Sequence, residues 1–283
     1  MSALRQRMIE DLQIRNYSPR TVRTYVDAVA RFARHFGRSP ELLGPEQIHE
    51  YQVFLVQKKK ASWTVYNQTV CALRFLYRMT LRKDWAIEHI PYPKREKRLP
   101  IVLAVEEVGQ LLSAVENLKH RTVLMTEYAG GLRISEALHL KVADVDSRRM
   151  VLRIEQGKGR KDRYVPLSPT LLIALRDYWK AYRPSYWLFP GRPPQMPIHQ
   201  SAIQHACSRA ARKAGITKPV HPHSLRHCFA THLLEAGTDL RTIQLILGHR
   251  ALNTTSVYLH IARTALQLTD RARDLLANAL STK

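Results

Sequence analysis

The spacing of apolar residues predicts a bundle of four helices in the first third of the chain. In four successive segments, apolar side chains recur every three or four residues, which is the period of an amphipathic helix. Ser18 before Pro19 is typical of a helix start, because the hydroxyl can cap the helix and proline suits its first position. Short polar connections favour antiparallel packing of neighbouring helices. The four segments begin near Leu4, Pro19, Pro45 and Ser62.

Beyond residue 100 the pattern is helical, then changes its period, and then becomes helical again. One amphipathic helix is predicted to carry the apolar residues from Val108 to Leu118, and the next to end at Gly130 and Gly131. Apolar and polar residues then alternate in RMVLRIE and RYVPL, on either side of the polar stretch GKGRKD. This alternation predicts a β-hairpin with Lys158 near its tip. The expected fold class is therefore mainly α with a small antiparallel β-sheet.

The charge of the chain points to a partner. Its 45 Lys and Arg outnumber 23 Asp and Glu, which gives a formal net charge of +22, and the excess lies in both halves. Such a surface favours nucleic acid, since contacts to phosphates release counterions; a basic protein without that partner is the alternative. No run approaches the roughly 18 apolar residues of a membrane span, and the N-terminus lacks the apolar core of a signal peptide. The three cysteines are scattered and predict no disulfide framework, so we expect a cytoplasmic protein.

A basic, proline-containing stretch separates the two parts of the chain. Residues 85–100 hold three prolines and four Lys or Arg, a composition that is poor for a helix and typical of a linker. Its basic side chains either stay solvated or lie along a DNA backbone. We therefore expect an N-terminal helical, DNA-binding domain at residues 1–84, a linker at 85–100 and a second domain at 101–283.

Histidines are concentrated in the stretch HPHSLRHCFATHLLEAG, residues 221–237. His223 and His227 are four residues apart on a predicted helix, which suits two zinc ligands, and Cys228 follows them. However, the stretch has no HExxH pattern, and Arg226 between the two histidines would repel a cation. We therefore expect no metal site. The remaining interpretations are a helix with hydrogen-bonded histidines and a cationic pocket for a phosphate.

A pocket that breaks a phosphodiester without a metal needs a defined set of side chains. Arginines hold the non-bridging oxygens, where negative charge develops in the transition state. A protonated group reaches the leaving oxygen, and a nucleophile attacks from the opposite side. The chain offers such groups at Arg133, Lys158, His223, Arg226, His249 and Tyr258.

These six residues lie in four short stretches, which occur in the order GGLRISEAL, GKGRKDRYVPL, HPHSLRHCFATHLLEAG and LGHRALNTTSVYLH. The four stretches resemble the motif regions of tyrosine site-specific recombinases, the family of phage integrases, mobile-element integrases and bacterial Xer recombinases. The earlier stretch SPRTVRTYVDAVARFARHF is similar to the helical core-binding domain of that family. The resemblance thus covers nearly the whole chain, and it implies the family's catalytic domain after the linker.

The resemblance implies the reaction and most of its groups. Arg133 and Arg226 match the arginines that clamp the scissile phosphate, and Lys158 matches the lysine that protonates the leaving 5′-oxygen. Tyr258 matches the nucleophile, which becomes joined to a DNA 3′-phosphate. We expect the guanidiniums to lower the pKa of Tyr258 from its ordinary value. Because one phosphate ester replaces another, neither ATP nor a nucleotide cofactor is implied. No metal is implied either, because arginines, a lysine and histidines supply the charge of the pocket and no carboxylate pair that suits Mg²⁺ accompanies the motifs.

The resemblance also divides the histidines into two groups. His223 and His249 match the two catalytic histidines of the family. His227, His232 and Cys228 match no catalytic position, and we expect them to support the fold.

The partners follow from the same resemblance. Double-stranded DNA recombination sites are the implied substrate, bound by a homo-tetramer that joins two sites in the nucleoid, with accessory DNA-bending proteins as further partners. We expect a mobile-element or phage-type integrase, and a Xer-like resolvase of chromosome or plasmid dimers is the alternative. A type IB topoisomerase or a non-catalytic DNA-binding regulator would also share part of the pattern.

After Tyr258, the sequence predicts one more helix. Apolar or small residues recur at spacings of four and three from Ile261 to Ala279, which is the stripe of an amphipathic helix. Such a tail helix packs either on its own domain or, as is common in the family that the chain resembles, on a neighbouring protomer.

Overall fold

The computed structural model divides the chain into two compact units. The units are Met1–Lys97 and Arg98–Lys283, and each has its own hydrophobic core. The domain boundaries at residues 84 and 100 stay a prediction. The described residues are 2–86, 90–92, 99–155, 162–248 and 254–260.

Helices dominate the described part of the first unit, as the apolar spacing predicted. Ser18 caps the second helix by accepting a hydrogen bond from the backbone N–H of Thr21. The helices are α1 (Ala3–Ile14), α2 (Pro19–Phe36), α3 (Pro45–Val53) and α4 (Trp63–Phe75); α3 and α4 continue into π-helical turns (Phe54–Lys58 and Leu76–Thr80), and 3-10 turns occur at Pro40–Leu42 and Asp84–Ala86.

The core of the first unit is built around Phe32 of α2. Its ring packs edge-on against Tyr51 of α3 and against Tyr77, with centroids 5.2 and 6.5 Å away. Ile90 is fully buried in the same core, and Arg74 of α4 donates a hydrogen bond to the Ile90 carbonyl. Ile90, in the stretch expected to be a linker, therefore packs on the first unit.

The second unit combines helices with a small sheet, which confirms the predicted fold class. Its three described strands form one antiparallel sheet in chain order, with Leu152 opposite Val165 and Ile154 opposite Arg163. The predicted hairpin tip with Lys158 lies outside the described residues. The elements are α5 (Val105–Ser113), α6 (Leu118–Gly130), α7 (Ile134–Leu138), β1 (Val145–Asp146), β2 (Val151–Ile154), β3 (Arg163–Pro166), α8 (Pro169–Tyr182), α9 (Gln200–Lys213), α10 (Pro222–Glu235) and α11 (Leu240–Leu247), with 3-10 turns at Val142–Asp144 and Ser256–His260.

The boundary between the first two helices of the second unit lies earlier than the apolar residues predicted. α5 ends at Ser113, and α6 begins at Leu118. The side chain of Asn117 accepts a hydrogen bond from the backbone N–H of His120 and so caps a new helix. Because both helices bury their apolar residues in one core, the apolar spacing continued across the break and concealed it.

Two further expectations concern the tail and the membrane. The predicted C-terminal helix falls on residues 261–283, which lie outside the described residues. Across the part of the chain that the structure describes, no helix is both long and apolar enough to cross a membrane.

Candidate functional site

The turn between α6 and α7 places Arg133 and requires glycine at position 131. Gly131 has a φ of +58°, and a Cβ added there would lie 2.4 Å from Cδ1 of Phe229 on α10. The backbone can therefore pass close to α10 before Arg133 opens α7. This close approach brings the Gly131 carbonyl within hydrogen-bonding distance of Arg226 on α10.

Arg226 is a buried guanidinium that holds two helix ends together. Its side chain is 1% exposed, and it donates hydrogen bonds of 2.6 Å from Nη1 to the Gly131 carbonyl and from Nη2 to the Leu247 carbonyl. These carbonyls lie at the C-terminal ends of α6 and α11, where the helix dipole is negative. Burial, with the nearby charge of Arg133, lowers the pKa of Arg226 to about 10, so the group stays charged at neutral pH.

Glu136 of α7 is the carboxylate around which the arginines assemble. It accepts hydrogen bonds of 3.0 and 2.8 Å from Nη1 and Nη2 of Arg163, and one of 2.6 Å from Nη1 of Arg133. Arg226 Nη1 lies 3.8 Å from Oε2 of the same carboxylate. Burial acts to raise the pKa of Glu136, but the hydrogen bonds and charge of Arg163, together with Arg133, lower it to about 2. One ionised carboxylate thus holds three guanidiniums.

Arg163 connects this cluster to the sheet and to the end of α11. Its Nε donates a hydrogen bond of 2.9 Å to the Ile246 carbonyl, while its other nitrogens bind Glu136. The side chain passes against Gly248, where a Cβ would lie 3.0 Å from the Arg163 Cδ. Arg163 and Glu136 were not singled out from the sequence, although both lie within the quoted motifs.

Tyr258 lies in the 3-10 turn Ser256–His260 with its hydroxyl hydrogen-bonded to a histidine. Its Oη is 3.0 Å from Nδ1 of His227. Burial raises the pKa of Tyr258, while the charges of Arg226 and Arg133 lower it by less. The expectation of a lowered pKa was therefore wrong for the protein without DNA, because burial outweighs the guanidiniums.

The two histidines one turn apart on α10 face each other. The rings of His223 and His227 pack edge-on with centroids 4.7 Å apart, and His223 is the more exposed of the two. Burial against the helix and the charge of Arg226 lower the pKa of His223 to about 4. Burial also lowers the pKa of His227 to about 4. Both rings are therefore neutral at pH 7.

Other groups of the histidine-rich stretch are bound within the fold. His232 lies 2.9 Å from both the Leu103 carbonyl, through Nε2, and the Tyr128 hydroxyl, through Nδ1. Because a carbonyl only accepts, Nε2 donates to it. The Cys228 sulfur accepts a hydrogen bond from the backbone N–H of Leu103. Within the described ranges, no group of three His, Cys, Asp or Glu is placed to hold a metal ion.

The structure brings together the predicted site residues that it describes. Arg133, His223 and Arg226 act electrostatically on one another, and Tyr258 is under the influence of both arginines. The other two predicted residues, Lys158 and His249, lie outside the described residues. The assigned roles of all six stay predictions.

Glu127 of α6 is a buried carboxyl beside this cluster. It is fully buried, and among the described residues neither of its carboxyl oxygens has a hydrogen-bond partner. Burial raises the pKa of Glu127 to about 8, against the charge of Arg226 and with that of Glu136. Glu127 therefore keeps its proton at pH 7.

We expect Glu127→Gln to stabilise the protein at pH 8 and not at pH 4. In the unfolded chain the carboxyl loses its proton near its ordinary pKa of 4.5, whereas the folded protein keeps it to about pH 8. Wild-type stability therefore falls as the pH rises between these values. The neutral amide escapes this loss, so the free energy of unfolding at pH 8 should increase by about 3 to 5 kcal/mol.

Urea denaturation at pH 4 and pH 8 measures this effect. The exposed Glu106 on α5 provides the control variant Glu106→Gln, which should change stability little at either pH. An equal gain from Glu127→Gln at both pH values would show that Glu127 is not held protonated by the fold.

Two known family models match the chain. The phage integrase family matches residues 102–264, and the N-terminal SAM-like domain of phage integrases matches residues 4–87. The first match contains all six predicted site residues and spans more than half of the chain.

Individual relatives are similar over nearly the whole chain. The protein y4qK of Sinorhizobium fredii (strain NBRC 101917 / NGR234), named as an integrase/recombinase, is 53% identical over 277 residues, which cover 98% of this chain and 90% of that protein. Tyrosine recombinase XerC of Bacillus subtilis (strain 168) is 33% identical over 284 residues, which cover 92% of each chain. The crystal structure of the XerH site-specific recombinase bound to its palindromic difH substrate shares the fold, with a TM-score of 0.70 and 23% identity over 90% of this chain and 80% of that chain.

Proposed function

The chain belongs to the phage integrase family and is a tyrosine recombinase, an enzyme of site-specific DNA recombination, and we propose that Tyr258 is its nucleophile. One observation carries this assignment. Tyr258 is buried, and the positive charges of Arg133 and Arg226 lie close enough to its phenol to act on its pKa. A phenol in such surroundings can attack a phosphate that the guanidiniums hold.

The proposed reaction exchanges one phosphate ester for another. The Tyr258 oxygen forms a bond to phosphorus while the bond from phosphorus to the 5′-oxygen breaks, which leaves a 3′-phosphotyrosyl ester and a free 5′-hydroxyl. Arg133 and Arg226 hold the non-bridging oxygens, and Lys158 protonates the leaving 5′-oxygen. Attack by the 5′-hydroxyl of another strand then reverses the step on a new partner. Because an ester is conserved throughout, no ATP is consumed.

We propose that the substrate is duplex DNA and that four protomers act on two sites. The net charge of +22 supports a phosphate backbone as the partner, and the XerH recombinase, which has a similar fold, is bound to its difH substrate in its crystal structure. Recombination of two duplexes cleaves four strands, so one tyrosine per strand requires four protomers. Accessory DNA-bending proteins would help to bring two such sites together.

Two assays, recombination of a plasmid that carries two sites and relaxation of supercoiled DNA, separate this function from its alternatives. A plasmid that carries two sites should be recombined, whereas a type IB topoisomerase would relax supercoils without exchanging strands. A DNA-binding regulator would do neither. We favour integration or transposition of a mobile element over dimer resolution by a Xer-like enzyme, since y4qK is named as an integrase/recombinase at 53% identity. Sequencing the DNA trapped on Tyr258 in cells tests that preference.

Strand cleavage should be unaffected by EDTA. In the proposed pocket Arg133 and Arg226 supply the positive charge that a metal ion would otherwise provide. The yield of covalent adduct on a short nicked duplex, with and without the chelator, is the measurement. A strict need for a divalent ion would reopen His223, His227 and Cys228 as metal ligands.

A further inference from the structure

His227 has a closer relation to Tyr258 than a purely structural residue needs. Its Nδ1 lies 3.0 Å from the Tyr258 hydroxyl oxygen, and the two ring centroids are 5.8 Å apart. Tyr258 is 1% exposed and packs with Ala230, Ile243 and Leu247. The phenol oxygen is thus directed at a ring nitrogen in surroundings that are closed to water.

The neighbouring His223 stands one turn earlier on α10 and is placed differently. Surrounding protein atoms desolvate its ring enough to lower its pKa, yet the side chain is still exposed to solvent, and the ring packs on the ring of His227. An incoming phosphate can therefore reach His223 from solvent, whereas His227 contacts the ring of Tyr258 and the ring of His223. The two histidines are suited to different tasks.

We propose that His227 orients the Tyr258 hydroxyl and takes its proton as the phenol oxygen attacks phosphorus. This inference rests on the proposed role of Tyr258 as the nucleophile. The Tyr258 O–H bond breaks as the bond from oxygen to phosphorus forms, and the proton moves to Nδ1 of His227. The leaving 5′-oxygen receives a different proton, from Lys158. When a 5′-hydroxyl attacks the phosphotyrosyl ester, His227 returns the proton to Tyr258 and Lys158 recovers its own.

The electrostatic surroundings of His227 leave it unprotonated until substrate arrives. Burial, His223, Arg226 and His221 together lower its pKa to about 4, so without DNA the ring is neutral at pH 7 but only weakly basic. Burial raises the pKa of Tyr258, so the phenol keeps its proton until a base takes it. A negatively charged phosphate that enters beside Arg226 makes protonation of His227 easier. Proton transfer is therefore favoured only when the substrate is present.

The first experiment compares variants in a single turnover on a nicked substrate. His227→Leu removes the acceptor, and the rate of adduct formation should fall about 100-fold, while binding to a half-site stays as in wild type. His227→Asn keeps a hydrogen-bonding side chain but no proton acceptor, so its rate should fall less. The control His205→Leu, on the exposed face of α9, should leave the rate unchanged.

The decisive experiment replaces Tyr258 with a fluorinated tyrosine, whose more acidic phenol needs less help from a base. The fluorinated nucleophile should restore most of the lost rate in His227→Leu. A rate equal to wild type in His227→Leu, or a slow rate that fluorination does not restore, would overturn the proposal. If His227→Leu fails to bind the half-site, His227→Asn with the same nucleophile decides in the same way. An adduct formed by Tyr258→Phe would instead overturn the assignment of the nucleophile.

Discussion

Tyr258→Phe should form no covalent protein–DNA adduct and should bind its target as wild type does. The substitution removes only the phenol oxygen, and the ring stays in the cluster with Ala230, Ile243 and Leu247. Arg133 and Arg226 also remain, so the pocket keeps its affinity for phosphate. Loss of a nucleophile is expected to reduce cleavage by at least about four orders of magnitude. Denaturing gels of a nicked duplex measure the adduct, and gel shifts of a half-site measure binding.

A second tyrosine provides the control. Tyr186 is 57% exposed and does not belong to the buried cluster around Tyr258, and Tyr186→Phe removes the same atom, so its adduct yield should match wild type. An adduct that persists in Tyr258→Phe would place the nucleophile elsewhere in the chain.

Lys158→Ala and Arg226→Ala should both lose cleavage, but a sulfur-substituted DNA should rescue only the lysine variant. If the bridging 5′-oxygen is replaced by sulfur, the leaving thiolate needs no proton, and a general acid becomes dispensable. We expect Lys158→Ala to fall by about 100-fold or more on ordinary DNA and to approach wild type on the sulfur substrate. Arg226 acts on the non-bridging oxygens, which the sulfur does not change.

Arg226 also has a structural task that requires its own control. Its loss leaves the carbonyls of Gly131 and Leu247 without their hydrogen-bond donor, so Arg226→Ala will lower stability as well. Arg226→Lys keeps the charge and should stay folded, yet it should not be rescued by sulfur. Failure of sulfur to rescue Lys158→Ala would assign the proton donor to Lys161 or a histidine.

Local features of the fold could be predicted from the sequence more completely than tertiary ones. The serine cap at residue 18 and the glycine after α6 were both read correctly from short patterns, because each depends on a few consecutive residues. β1 was not predicted, since a strand of two residues has no period to detect. The break between α5 and α6 was predicted after Leu118 and lies before it, because the capping residue Asn117 decided its position against continuous apolar spacing.

The site shows the same limit. Motif residues such as Arg133 and Arg226 could be named from the sequence, but the carboxylate that holds them joins residues far apart in the chain. Arg163 approaches Glu136 from a strand 27 positions later, which no local pattern reveals. His227 lies one helical turn after the predicted site residue His223, so its spacing could have placed it near the site. The contact of His227 with Tyr258 itself is not visible in any local pattern.

Because Glu127 is protonated, the positive charge of the pocket corresponds to the negative charge that the phosphoryl group carries in the transition state. Among the groups that the structure describes, Arg133, Arg163 and Arg226 are charged, Glu136 is the ionised counter-charge, and Glu127 is neutral, which leaves two positive charges. A DNA phosphodiester brings one negative charge and leaves the pocket under-neutralised. As the phenol oxygen adds to phosphorus, the phosphoryl group gains a second negative charge, which equals the excess of the three guanidiniums over Glu136, while the phenol proton is held separately on His227. The like-charge repulsion stored among the guanidiniums during folding is therefore relieved most fully at the top of the reaction barrier, where relief accelerates the reaction.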